Sequence, residues 1–175
     1  EPAPMRIVTW NVLGLTGYPP EAAAADIGHP GDSRSDEHFA TVFAGLEADV
    51  LALQEGVSHG IAQRIAARLE RYLVTIPSPM SWPGHVLSRY PVVESLAFSH
   101  AAADGSLTPF SRVCGAARLQ VAPEEDLWVV CLHLHPGDVA LRAREGDLLR
   151  HHLDALLASC ERAVVLGDFN CDLEE

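Results

Sequence analysis

Ala163-Val164-Val165-Leu166-Gly167-Asp168-Phe169-Asn170 is the stretch on which the fold turns. Four apolar residues in a row, preceded by a long amphipathic pattern, predict a short buried strand at 163–166 that follows a helix. The strand runs straight into a polar ending. The same construction recurs upstream: Arg6-Ile7-Val8 leads into Thr9-Trp10-Asn11, Val50-Leu51-Ala52-Leu53 into Gln54-Glu55, and Leu127 to Leu132 into His133. Polar groups that terminate apolar strands collect at one edge of a sheet, where open α/β folds bind ligands. Two carboxylates (Glu55, Asp168) and two carboxamides (Asn11, Asn170) are oxygen donors that suit a hard cation such as Mg²⁺, and a neighbouring histidine suits phosphate chemistry.

Working outward, Met5 to Val12 reads as the first strand. Phe39, Val42, Phe43 and Leu46 mark one face of a helix, capped by Ser35 or Asp36. After the strand at 50–54, Ser58 caps a second helix carrying Ile61, Ile65 and Leu69, and Tyr72 to Ile76 returns as a strand. Strands follow at His85 to Ser88, Val92 to Phe98, Val113 to Val121 and Leu127 to Leu132, then one amphipathic helix over Ala140 to Ser159 with Leu141, Leu148, Leu149, Leu153, Leu156 and Leu157. Tyr18 to Ser35 reads as a long loop, either a substrate-facing segment or an insertion. Beyond Ala22 to Ala25 there is no low-complexity tract.

The chain has 175 residues, 48% of them hydrophobic and 21% charged, which fits a single domain over 1–175 with a proper core. No apolar run is long enough for a membrane span. The net charge is −12 and all 12 basic residues are arginine, so nucleic acid and anionic membranes are repelled unless a local patch or a metal reverses the field. Nucleic acid stays a possible partner that charge does not favour. Cys114, Cys131, Cys160 and Cys171 show no zinc-site spacing and no dense disulfide framework, so reduced thiols are expected. Glu1-Pro2-Ala3-Pro4 lacks a signal-peptide pattern and reads as a linker remnant or the stub of a processed leader. The compartment stays open, the cytoplasm being favoured over secretion.

The order Thr9-Trp10-Asn11-Val12, Leu53-Gln54-Glu55, Leu87-Ser88-Arg89-Tyr90-Pro91, His133-Leu134, Gly167-Asp168-Phe169-Asn170 resembles the endonuclease/exonuclease/phosphatase superfamily, which includes deoxyribonuclease I-like nucleases, neutral sphingomyelinases and inositol-polyphosphate phosphatases. The resemblance runs from Met5 to Asp172. It implies a four-layer α/β sandwich, two packed mixed sheets flanked by helices, and Mg²⁺-dependent cleavage of phosphate esters, with Mn²⁺ as a substitute. It also implies that Glu55 is the principal metal ligand with Asn11 beside it. Asp168 handles the attacking water or the leaving oxygen, Asn170 holds a nonbridging oxygen or the ion, and His133 donates to the phosphoryl oxygen. Arg112, at the start of a strand, and His85 stand where relatives face substrate. Ser88 to Pro91 turns the chain between strands.

Family members continue past Gly-Asp-Phe-Asn to a Ser-Asp-His motif, which this sequence lacks. The expectation is therefore a domain without its last strands, and a 175-residue form that is weakly active or inactive. The function classes left open are a phosphodiesterase acting on nucleic acid, lipid headgroup or small diester, a catalytically impaired member used as a binding module, and a monoester phosphatase acting on a soluble polyanion. Alternation along the last strand puts Asp168 and Asn170 on one face and Phe169 toward the core. His135, on the face of His133, with Asp138, raises zinc as another reading, but Pro136-Gly137 and Val139 stand where a metallo-hydrolase pattern wants further ligands. His151-His152 reads as a solvated helix face.

Overall fold

A computed structural model of the chain describes residues 4–16, 27–98 and 110–172. Its elements are β1 (Ile7–Asn11), a 3₁₀ turn (Leu13–Leu15), α1 (Ser33–Gly45), β2 (Val50–Gln54), α2 (His59–Arg68), β3 (Tyr72–Ile76), β4 (Gly84–Ser88), β5 (Val92–Ala97), β6 (Cys114–Ala122), β7 (Glu125–His133), α3 (Val139–Ser159) and β8 (Ala163–Asp168). Much of the loop expected over Tyr18 to Ser35, and all of Ala22 to Ala25, lies outside the described residues. The end of that range already belongs to α1.

Two four-stranded sheets stand back to back, in the orders β1-β2-β4-β3 and β5-β6-β7-β8. Each is mixed: β1 runs parallel to β2 and β7 parallel to β8, while the remaining pairs are antiparallel. Three apolar layers separate the sheets and helices. Leu51, Leu53 and Leu87 pack outward onto Phe39, Phe43, Ala62 and Ile65 of α1 and α2. Val50, Ala52 and Val86 face inward onto Ala117, Val129 and Cys131 of the second sheet. Trp128, Val130 and Leu132 look outward onto Leu149 and Leu156 of α3. This is the four-layer sandwich. Successive residues of β2 serve different layers because side chains alternate across a strand, and its five residues are all buried. Truncating Leu51 or Leu53 to alanine should cost about 2–5 kcal/mol.

Several local expectations are corrected. The cap position of α1 is Asp32; Ser35 and Asp36 are buried in its first turn, where Asp36 pairs with Arg64 at 2.6 Å. Ser58 does occupy the cap position of α2 but makes no side-chain hydrogen bond there. Leu157 is exposed, so α3 buries a narrower stripe than its leucines suggest. His152 is not on a solvated face: its ring stacks on Phe98 at 4.0 Å. Arg112 does not begin a strand, since β6 starts at Cys114.

β1 and β8 are outer strands of their sheets and touch each other at one margin of the sandwich. That places the ends of β1, β2, β7 and β8 together. Gly167 permits the closest approach: its φ is +151°, and a methyl group there would collide with the Leu132 carbonyl oxygen. Only glycine lets β8 settle on β7 in the register that sets His133 opposite Asp168.

Candidate active site

Asn11, the last residue of β1, sends its Nδ2 between two carboxylates. It donates to Glu55 Oε1 at 3.1 Å and to Asp168 Oδ2 at 3.0 Å. His133, the last residue of β7, brings Nε2 to 3.8 Å from each of the same oxygens. Four residues spread over the chain thus meet at one point. The cluster borders an open cleft of about 480 Å³ lined by Asn11, Asp168 and Asn170 among others. The side chains of Glu55 and His133, 15% and 7% exposed, are less accessible than that of Asp168 at 31%.

Each side chain is held by its backbone. Glu55 leaves β2 with φ +49°, a left-handed conformation rare for a residue with a Cβ. Its carbonyl accepts from Gly14 N at 2.6 Å, and the next amide, Gly56 N, donates to Pro83 O at 2.8 Å. Asn11 Oδ1 accepts from Leu13 N at 3.2 Å, which fixes the amide's orientation. Asp168 Oδ1 accepts from Asn170 N at 3.0 Å, and the Asp168 carbonyl accepts from Leu134 N at 3.0 Å. Burial pushes the His133 pKa below its ordinary value, against the pull of Asp168 and Glu55, while the Arg112 charge adds to the lowering. His133 is therefore mostly neutral at pH 7, with one ring N–H to give.

The remaining predicted residues fall in other places. Asn170 and Asp168 do not share a strand face: β8 ends at Asp168, Asn170 turns with φ +52°, and Phe169 is exposed instead of pointing to the core. Asn170 Nδ2 donates to Leu134 O at 2.9 Å. Arg112 is half-buried in the segment before β6, near enough for its charge to act on His133. His85 does not reach the cleft. It is 1% exposed and sits beneath the turn that follows Glu55. His135 is not on the strand either: β7 stops at His133, and His135 Nδ1 accepts from Gly137 N and Asp138 N at 3.1 and 2.9 Å. Asp138 caps α3 through Leu141 N, so the zinc reading loses both its extra ligands to local turns.

Glu145 was not anticipated. Fully buried on α3, its carboxylate accepts from Ser111 N at 2.7 Å and His135 N at 3.0 Å. It ties the segment carrying Arg112 to the segment carrying His133. The signal was present in the pattern, because Glu145 is spaced i, i+4 from Leu141 and i, i+4 from Leu149, on the face the leucines use.

Among the described residues no three His, Cys, Asp or Glu side chains form a ready-made cation cage. The carboxylates that would hold a cation are Glu55 and Asp168; the Asn11 amide turns its nitrogen to both, and its oxygen would join them by rotation of the amide, at the cost of the bond from Leu13 N. Two carboxylates converging on one polar group, with oxygen-only chemistry, fit Mg²⁺, which takes few protein ligands and keeps several waters.

Polar groups are thus gathered at the ends of two inner strands, β2 and β7, and two outer ones, β1 and β8, of a sandwich of two mixed sheets. The chain belongs to the endonuclease/exonuclease/phosphatase family, whose pattern it matches over residues 8–175. No curated protein sequence matches the chain. Solved structures do. A functionally unknown conserved protein from Enterococcus faecalis is 14% identical with a TM-score of 0.74, over 98% of this chain and 69% of that one. A mannosyl-6-phosphatase from Bacteroides thetaiotaomicron is 14% identical with a TM-score of 0.69, over 98% and 67%. The human Nocturnin catalytic domain with bound sulfate anion is 20% identical with a TM-score of 0.70, again over 98% and 67%. The chain therefore spans about two thirds of the length of each of these structures. At such identities the likeness is one of fold. Among the described residues no helix is long and apolar enough to cross a membrane.

Proposed function

We propose that this chain hydrolyses phosphodiesters with a divalent cation, Mg²⁺ by preference and Mn²⁺ as a substitute, held by Glu55 and Asn11 with Asp168 alongside. The single observation that carries the reading is the meeting of Asn11, Glu55, Asp168 and His133 at the strand ends. Family membership supports phosphoester hydrolysis as the general chemistry.

Phosphoryl transfer needs an in-line water and neutralisation of the charge that builds on the phosphoryl oxygens. The cation, when bound, supplies Lewis-acid stabilisation of that charge. Asp168 takes the water side. Its two oxygens are already engaged by Asn170 N and Asn11 Nδ2, so the carboxylate is oriented before substrate arrives, the condition for electrostatic preorganisation. His133 gives its ring N–H to an equatorial oxygen, and the Arg112 charge lies on the same side. Asn170 acts chiefly through its backbone N–H, since its side chain is committed to Leu134.

The net charge of −12 favours a small diester or a zwitterionic lipid headgroup over nucleic acid, because polyanions are repelled outside the immediate site. Hydrolysis of bis-p-nitrophenyl phosphate, with and without Mg²⁺, by the chain and by Glu55→Ala tests the reading. Weak turnover that needs Mg²⁺ and disappears in the variant is expected. Unchanged turnover in Glu55→Ala, or none in either protein, ends the enzymatic reading for this chain. Plasmid DNA, sphingomyelin and inositol phosphates then sort the substrate class.

A further inference from the structure

His85 is the second residue of β4, buried against Gly56, with both ring nitrogens engaged. Nδ1 is 3.1 Å from Thr75 Oγ1, and Nε2 is 3.0 Å from Val57 O and 3.2 Å from Val57 N. Thr75 Oγ1 in turn meets His59 Nδ1 at 2.8 Å on the surface. The ring is packed so closely on Gly56 that a methyl group there would collide with it. Gly56 and Val57 directly follow Glu55, whose left-handed backbone persists only if its surroundings hold it. A polar ring inside an otherwise apolar layer is costly unless its partners matter.

Resting on the metal site proposed above, the geometry points to His85 as a positioning residue for Glu55: it clamps the Glu55-Gly56-Val57 turn from beneath so that the carboxylate is aimed at Asn11 and Asp168. Burial holds the His85 pKa down to about 4, so at neutral pH the ring has one donor and one acceptor nitrogen. Two neutral tautomers fit these contacts: Nε2–H donates to the Val57 carbonyl while Nδ1 accepts from the Thr75 hydroxyl, or Nε2 accepts from Val57 N while Nδ1–H donates to Thr75 Oγ1; either way the ring joins the Val57 backbone to Thr75. A charged ring could accept from neither Val57 N nor the Thr75 hydroxyl. The clamp acts through backbone, without touching substrate or cation, in the manner of groups that orient metal ligands from behind.

Calorimetric titration of Mn²⁺ into the full chain tests this with wild type, His85→Phe, His85→Gln and Thr75→Val, with Leu156→Ala on α3 as a control for simple loss of stability. Phenylalanine keeps the ring's bulk and loses its hydrogen bonds, so Mn²⁺ affinity is expected to fall by about tenfold or more. Glutamine can offer the Val57 backbone either an N–H or a carbonyl oxygen and is expected to recover most of that loss. Leu156→Ala, whatever it does to stability, is expected to bind as wild type. Thr75→Val frees one end of the ring and should weaken binding by roughly threefold, which keeps the test alive should the phenylalanine variant fold poorly. Wild-type affinity in His85→Phe or, if that variant does not fold, in Thr75→Val overturns the inference. So does an equal loss in the phenylalanine and glutamine variants. Absence of Mn²⁺ binding by the wild type instead fails the metal-site reading itself and takes this inference with it.

Discussion

His133 and Asp168 are register partners across the parallel β7–β8 pair, and His133 Nε2 lies 3.8 Å from Asp168 Oδ2. The relationship depends on the residue before each: Leu132 presents its carbonyl where only glycine fits at 167. Site geometry and sheet packing are thus one constraint.

Gly167→Ala is expected to destabilise the fold by about 2–4 kcal/mol, through overpacking against backbone together with a disfavoured positive φ. Urea unfolding measures it. A midpoint equal to wild type would mean that β8 can shift without cost, and the His133–Asp168 register would lose its explanation.

Stability should fall with acid through His85. Its pKa is lowered from 6.5 to about 4 in the folded chain, so between those values the unfolded chain binds a proton that the folded chain refuses. The contribution is complete above pH 6.5 and is lost as the pH drops toward 4, by on the order of 3 kcal/mol. Burial lowers His133 and His152 as well, with the same sign. Urea unfolding from pH 7.5 to 4.5 should show the decline, and His85→Phe should flatten part of it. An identical slope in the variant would contradict the assignment.

Glu145→Leu removes the acceptor of two backbone N–H groups, Ser111 and His135. A loss of roughly 2–4 kcal/mol is expected from leaving them unpaired, with Glu145→Gln losing less because its amide oxygen still accepts. Thermal unfolding of both variants checks the order. A leucine variant as stable as wild type would show that water replaces the carboxylate and that Glu145 does not tie the two segments.

Thiol chemistry should separate the cysteines. Cys131 is fully buried and its pKa is pushed up to about 11, chiefly by burial, and Cys114 is raised as well. Cys171 is exposed. Iodoacetamide at pH 8 is expected to label Cys171 in the native protein and to spare Cys114 and Cys131 until denaturant is added, because the reactive species is an accessible thiolate. Peptide mass spectrometry reads the sites. Rapid labelling of Cys131 would mean that the layer between the sheets opens readily.

The strands were legible where both faces are apolar. Val50 to Gln54 and Tyr72 to Ile76 were read to the residue, since a short apolar run bounded by polar groups has few alternatives. The gathering of polar groups at strand ends was legible for the same reason. What sequence did not carry was the direction of single side chains once a strand had ended. Asp168 and Asn170 were placed on one face by strand alternation, yet the strand stops at Asp168 and the chain twists away, exposing Phe169. His135, two residues past the end of β7, departs from the strand face for the same reason. His85 could be assigned to the cleft or to the interior from its neighbours in sequence; only the packing of Gly56 against its ring decides for the interior. Glu145 hid in plain view, because a single acid among leucines reads as an interruption until its two backbone partners, 34 and 10 residues away, are seen.

The most direct measurement is Mn²⁺ binding to the chain by electron paramagnetic resonance, compared with Glu55→Gln and Asp168→Asn, each of which removes one carboxylate and preserves shape. Saturable binding by the wild type, weakened about tenfold or more in each variant, is the expected result. Variants that bind Mn²⁺ as tightly as the wild type would contradict a shared cation at Asn11, Glu55 and Asp168, and with it the function proposed for this fold.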